Sequence, residues 1–455
     1  MTSKSSAVVV VQEKCDLLTS TDTHTNQETF FSQIFSRFRQ IGFSIADQGL
    51  SVGGMFLVNI ALARTQTKED YGIFALSYSL FTFLSGLHNA AVLEAYTIYG
   101  SGRYHKQFLS YSHLFWRTNV ILCCGLSAFL IFIWGVLSLT ARTLASKTLL
   151  GMALTCGFLL AAAFVRRTFY MRQRPDLAAK FSLIFFSTCV VALWFSARAG
   201  TLSGFYAFVI VALGWTVASL IVFRELPVKD VKTFIETEPH YWAEHWNYSR
   251  WVLATALVFQ LTTQGYYWVT AGFLSVPDVG RLRAIYNLVT PVDQIFVAIS
   301  LLVLPMMSYR NASRSRRGVV AIWRTYCGGV LLVTLTFAGL VNIAGRWVMH
   351  ILYAGKFDEI ADLLGILVFL PVIMGIGNTI NDALKALEKP RFVFFAYLCS
   401  GTTTFMVGIP LVAHYGLRGA VYGLLLSAVA YTIALAAGFL SSLGQRHASP
   451  SEHTA

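Results

Sequence analysis

The sequence predicts an all-α integral membrane protein with about twelve transmembrane helices, set as two parallel six-helix repeats around a central cavity. Three observations predict it. The first is composition: of 455 residues 56% are apolar and 13% charged, and the mean hydropathy is +0.60. A water-soluble chain carries roughly a quarter charged residues, so the shortage of charge points to lipid as the solvent. The second is a series of about twelve apolar segments of roughly 17 to 26 residues, each long enough at ~1.5 Å per residue to cross a ~30 Å hydrocarbon core. The third is a passage written twice. DYGIFALSYSL at 70–80 is answered by DVGRLRAIYNL at 278–288, with Asp70, Gly72, Tyr78, Leu80 and Thr82 matching Asp278, Gly280, Tyr286, Leu288 and Thr290.

The apolar spans fall at 41–63, 70–93, 114–139, 148–170, 180–197, 202–223, 250–274, 281–308, 319–343, 362–385, 391–413 and 418–441. A β-barrel would instead show segments of ~10 residues with strict alternation. If the N-terminus is cytoplasmic, the inside segments hold about 25 Lys and Arg and the outside loops about 10, which is the positive-inside bias. The densest inside runs are RRTFYMRQRP at 166–175 and YRNASRSRR at 309–317. The net charge of +13 is therefore a topology signal. A nucleic-acid partner, which would want its basic residues on one folded face, is not expected.

Ahead of the first span, residues 1–40 read as a polar cytoplasmic tail ending in an interfacial helix, FFSQIFSRFRQ at 30–40, where aromatics alternate with Arg37 and Arg39. The seven cysteines are scattered and suggest neither disulfides nor a metal site. A charged cytoplasmic linker at 224–249 joins a first bundle, 41–223, to a second, 250–441, and a cytoplasmic tail at 442–455 closes the chain.

The repeat extends beyond its first signature. WRT at 116–118 recurs at 323–325, Pro175 at Pro390 and Gly204 at Gly419, in the same order and with a single drift of register. Six spans per half is an even number, so both halves enter the membrane with one polarity and the repeat is parallel. Two like bundles leave a cleft between them, and rocking one against the other would expose it to alternate sides. That is the architecture of a transporter.

NIALARTQTKEDYGIFALSYSLFTFLSGL at 59–87, with Arg64, Tyr71, Gly72 and Phe74 at the matching positions, resembles the signature of Wzx-type oligosaccharide flippases of the multidrug/oligosaccharidyl-lipid/polysaccharide exporter superfamily. The helix count, the central linker and GLRGAVYG at 416–423 extend the likeness. The resemblance implies a flippase of polyprenyl-diphosphate-linked oligosaccharides in the bacterial inner membrane, serving O-antigen, lipopolysaccharide or exopolysaccharide synthesis. It also implies glycosyltransferases and a polysaccharide polymerase as pathway partners. A multidrug antiporter of the same superfamily is the alternative. No GxxxxGK[ST] phosphate loop for ATP is present, and neither a cofactor nor enzyme activity is expected.

Charge within hydrocarbon costs at least ~2.5 to 3.5 kcal/mol per residue, so deep ionisable groups are the first site candidates. Asp293 lies about twelve residues into the eighth span, in a stripe with Tyr286 and Thr290 matched in the second span by Tyr78, Thr82 and Ser85. Thr82, Ser85 and Thr290 read equally as groups that bond across packed helices. Asp47 and His88 are further candidates for coupling, although Asp47 stands close enough to a helix end to reach the interface and His88 suits packing. A diphosphate needs cations. Arg117 and Arg324, the two WRT arginines, sit near the cytoplasmic mouth and read equally as interface anchors. Arg64 and Arg283 lie near external helix ends, where the positive-inside rule gives no reason for arginine; Arg64 has Asp70 as an alternative partner. Asp382 and Lys385, three residues apart, are expected to pair.

Overall fold

Twelve helical rods make up the described residues, which in the computed structural model are 23–101, 104, 107–140, 146–222, 239–312 and 316–444; no strand occurs among them. The first half contains α1 (Thr23–Thr65), α2 (Lys68–His88, prolonged through a π-turn at Asn89–Leu93 into Glu94–Ser101), α3 (Phe108–Thr140), α4 (Lys147–Met171), α5 (Pro175–Arg198) and α6 (Gly204–Val222). The second contains α7 (Pro239–Phe273), α8 (Val276–Ala312), α9 (Arg316–Tyr353), α10 (Ala361–Leu367 and Leu370–Ala386), α11 (Pro390–Thr403, then a π-turn at Thr404–Gly408 and on to 415) and α12 (417–444). Eight segments are long and apolar enough to cross a membrane, and one of them, Pro390–Leu443, holds both α11 and α12. The chain is a multi-pass membrane protein. α2, α7 and α8 fall outside that apolar set because they carry the polar residues that face other helices.

Helix starts are written in matched pairs. Thr67 caps α2 by accepting from Asp70 N (3.0 Å) while its hydroxyl donates to Asp70 Oδ2 (2.6 Å); Ser275 caps α8 through Asp278 N (3.3 Å) and Asp278 Oδ2 (2.6 Å). These are the Asp70 and Asp278 of the repeated passage, each tying down an orphan amide of a helix N-terminus. The α4–α5 and α10–α11 turns match as closely. Gln173 has φ 54° and Glu388 φ 58°, and the residues that follow, Arg174 and Lys389, have φ/ψ of −114°/65° and −117°/53° before Pro175 and Pro390. Gly416, at φ 60°, reverses the chain between α11 and α12 as Gly200, at φ 64°, does between α5 and α6. A side chain is disfavoured at such angles.

The molecule has two ends, one marked by Gln66 and the other by Glu94. The Gln66 end carries the α1–α2, α5–α6, α7–α8, α9–α10 and α11–α12 connections; the Glu94 end carries the α4–α5 and α10–α11 turns and the start of α7. The halves meet closely at the Gln66 end. A Cβ on Gly72 would stand 2.0 Å from Val276 O, and one on Gly280 2.8 Å from Lys68 O, so α2 and α8 touch backbone to backbone. Around them Lys68 and Arg281 share Glu359 (2.5 and 2.9 Å), and Lys356 Nζ donates to Gln66 O (2.7 Å).

Two expected boundaries move. α1 begins at Thr23, so the segment read as tail end and interfacial helix continues unbroken into the first span. α7 begins at Pro239, inside the expected linker, because its first turns have something to dock on: Tyr104 Oη donates to Glu244 Oε2 (2.5 Å), Tyr248 Oη to Glu94 Oε1 (3.0 Å), and the His245 ring stacks on Phe115 at 4.4 Å. Residues 1–22, 223–238 and 445–455, which hold the rest of the expected tails and linker, lie outside the described residues.

Candidate functional site

A cavity of about 310 Å³ lies among α1, α2, α4, α5 and α6 and is closed by one helix of the second half, α8. Its wall is mostly apolar and aromatic, from Met55, Phe56, Phe74, Phe81, Phe208 and Trp215. α8 brings four polar groups, Arg283, Asn287, Thr290 and Gln294, at helical spacing on one face, and the first half adds Ser51, Asn59, Tyr78, Ser85 and Arg166. The cavity is thus not shared equally between the repeats. Position 283 is arginine where the first half has Ala75 at the same offset, and 293 is aspartate where it has Ser85.

Arg283 is the expected site residue that the structure places in this wall. Its side chain is buried at 8% exposure, its Nε donates to Asn59 Oδ1 (3.2 Å), and its guanidinium lies over the Tyr78 ring, 4.4 Å from the centroid. Tyr71 and Tyr267 also stand beside it. Among the described residues no carboxylate is within ion-pair distance of it. The hydroxyls of Tyr71 and Tyr267 stand close enough to accept from the guanidinium, and neither has an acceptor for its own hydrogen among the described residues. A buried cation with two free hydroxyl hydrogens beside it and no carboxylate is the chemistry of an anion site.

Ser85 and Thr290 also stand in the wall, and the other expected residues go elsewhere. Arg64 is exposed at the end of α1, and Asp70 is occupied by the α2 cap instead of by Arg64. Arg117 and Arg324 are exposed on α3 and α9 and do not belong to the cavity wall. Asp293 is half-buried on α8 but off the lining face, and about ten residues, roughly 15 Å of helix, separate it from Arg283. His88 is buried with Nε2 2.6 Å from Asn119 Oδ1, on the α3 side of α2, a packing arrangement. Thr82 and Thr290 each donate to the carbonyl four residues back in their own helix, to Tyr78 O (2.8 Å) and Tyr286 O (3.0 Å), so neither bridges helices. Asp382 is buried and accepts from Tyr326 Oη (3.2 Å) while Lys385 is exposed; the expected pair is not made, because Lys385 leaves from the outer face of α10.

Asp47 departs furthest from expectation. It is fully buried instead of reaching an interface, and it accepts two bonds from Arg166 Nε (3.0 Å each), one from Arg166 Nη2 (2.6 Å), one from Ser182 Oγ (2.5 Å) and one from Tyr170 Oη. Arg166 also lines the cavity. Sequence reasoning counted it within a basic run; its position several residues inside the end of a span was the signal available.

Comparison with solved structures places this architecture. The chain aligns over 89% of its length with 93% of an inward-facing multidrug resistance MATE family transporter of the MOP superfamily, at TM-score 0.66 and 11% identity. It aligns with 94% of an outward-facing one at TM-score 0.65 and 12% identity. The chain has a MATE-like fold. A superfamily transporter from Pyrococcus furiosus, described as having a binding pocket of reverse polarity that suggests a different function, matches at TM-score 0.66 and 11% identity over 89% of this chain and 94% of that one. No family model matches the sequence, and no curated protein matches it. At these identities the MATE-like likeness is one of fold, with the parallel six-helix halves expected from the repeat.

Proposed function

We propose that the protein flips a polyprenyl-(di)phosphate-linked oligosaccharide across the bacterial inner membrane, for surface polysaccharide synthesis, by alternating access. The observation that carries this reading is Arg283: a guanidinium that stays charged at any accessible pH, buried against tyrosines without a carboxylate beside it among the described residues. Burying such a charge uncompensated costs several kcal/mol. A phosphate oxygen would meet the guanidinium together with the hydroxyl hydrogens of Tyr71 and Tyr267. The aromatic remainder of the wall suits sugar faces and an isoprenoid stem. The other cavity cation, Arg166, is balanced by Asp47, so the lining carries no uncompensated carboxylate with which to attract a cationic drug.

The test is deletion of the gene in its host. A lipid-linked oligosaccharide should accumulate on the cytoplasmic leaflet and surface polymer should disappear, with drug tolerance unchanged; Arg283→Gln should reproduce the deletion. Normal polymer with drug hypersensitivity would establish the antiporter reading instead.

A further inference from the structure

α1 carries Asp47, Ser51, Met55 and Asn59 at intervals of four, on one helix face. Ser51, Met55 and Asn59 line the cavity. At one end of the stripe Asn59 holds Arg283; at the other Asp47 holds Arg166. Twelve residues at ~1.5 Å place these two arginine stations roughly 18 Å apart along α1. A single phosphate or diphosphate group is too short to touch both.

The fork at Arg166 is divided. Nε and one Nη2 bond are spent on Asp47, whose carboxylate is fully enclosed and further fixed by Ser182 and Tyr170. Nη1 takes no partner among the described residues, and the Arg166 side chain keeps 21% exposure where it meets the cavity. A neutral, fully enclosed pair would serve packing alone. Here one edge of the guanidinium is locked and the other is presented, which is how an oriented anion donor is built.

We propose that Arg166 is a second binding station for a phosphate-type anion, at the opposite end of the cavity from Arg283, with Asp47 as the positioning residue that aims it. The inference rests on the reading that the cargo carries a phosphate. At the Gln66 end the halves touch backbone to backbone at Gly72 and Gly280, whereas at the Glu94 end α7 meets α2 and α3 through side-chain contacts; on this proposal a ligand enters past those side chains from the Glu94 end, meets Arg166 first and passes to Arg283 after it. Asp47 thereby has a role other than carrying a coupling proton. Its oxygens are saturated by Arg166, Tyr170 and Ser182, and it holds the guanidinium plane in place while the cargo's oxygens replace water on the exposed edge.

The experiment measures binding of a radiolabelled polyprenyl diphosphate to the purified full chain in lipid nanodiscs. Arg166→Gln should raise Kd about tenfold and Arg166→Lys about threefold, since a point charge lacks the fork. Asp47→Asn should raise it about fivefold, and the Asp47→Asn/Arg166→Gln double variant should be no worse than Arg166→Gln, because Asp47 acts through Arg166. The charge swap, Asp47→Arg with Arg166→Asp, keeps the ion pair but moves the cation to the enclosed side. It should melt close to the parent and bind as poorly as Arg166→Gln. A swap that restores full affinity, or an Arg166→Gln that binds like the parent, overturns the station and leaves the pair to packing. Should the swap fail to fold, the Gln and Lys variants decide. Loss of affinity in Arg283→Gln but not in Arg166→Gln sinks this inference alone; a parent that binds no polyprenyl diphosphate sinks the phosphate reading with it.

Discussion

Asn59 is the residue on which the charge state of the deep end of the cavity turns. Its amide oxygen gives Arg283 Nε a neutral acceptor at 3.2 Å, enough to orient the guanidinium and not enough to cancel it. Asn59→Asp keeps the shape and supplies the missing carboxylate. The variant turns a charge-to-neutral hydrogen bond into an ion pair and balances a cation whose uncompensated burial costs several kcal/mol, so it should resist thermal unfolding in detergent better than the parent. The same change should lower affinity for polyprenyl diphosphate at least about tenfold, because the internal carboxylate now competes for the arginine. Higher stability with unchanged binding would mean that the cargo's anion never reaches Arg283.

At the scale of helices and their connections, the sequence was legible where backbone geometry demands a particular residue. Asp70 and Asp278 complete caps, Pro175 and Pro390 open helices, and Gly72 and Gly280 let backbones touch; the capping hydroxyls of Thr67 and Ser275 and the turns at Gly200 and Gly416 follow the same repeat and show only in the structure. These requirements recur in each half, so the repeat shows in the letters. Arg166 and Asp47 did not show, because their partnership spans 119 residues of sequence and a basic run near a span end reads as topology. Asn59 was hidden likewise, as one amide among apolar neighbours. Docking of α7 on Tyr104 and Glu94 was invisible because it depends on where α2 and α3 end in space. A further prediction belongs to the 354–360 connection. The Lys68 ammonium, and then Arg281, hold the Glu359 carboxyl below its ordinary 4.5. A depressed carboxylate contributes stability above its ordinary pKa and loses it as pH falls through the lowered value. Glu359→Gln should therefore melt below the parent at neutral pH, and the gap should close as pH drops below about 4. High salt should narrow it too, since Glu359 is 47% exposed. A gap that is the same at pH 7 and pH 3 would show that the cluster does not join the halves electrostatically.

For the whole molecule, the parallel repeat makes a demand that labelling can meet. Symmetry-related connections must lie on the same side of the membrane: Ala199 and Tyr415, flanking Gly200 and Gly416, on one, and Arg172 and Glu388, in the two matched turns before Pro175 and Pro390, on the other. All four are exposed in the fold. Charge gives the expectation for which side is which. RRTFYMRQRP and the basic residues around Arg310 and Arg316 belong to the Glu94 end, and positive residues stay in the cytoplasm. On that rule the Gln66 end, joined by Gly72, Gly280 and Glu359, is expected to be external, and the proposed route past Arg166 then starts from the cytoplasmic side. In a chain freed of its native cysteines, single cysteines at 199 and 415 should react with an impermeant thiol reagent in intact cells, while those at 172 and 388 should react only after the cells are broken. The reverse pattern in all four would turn the protein over, so that the Arg166 station faced outward and the proposed direction of flipping failed. Disagreement within either pair would break the parallel symmetry itself, and with it the reason for two halves to rock about a shared contact at Gly72 and Gly280.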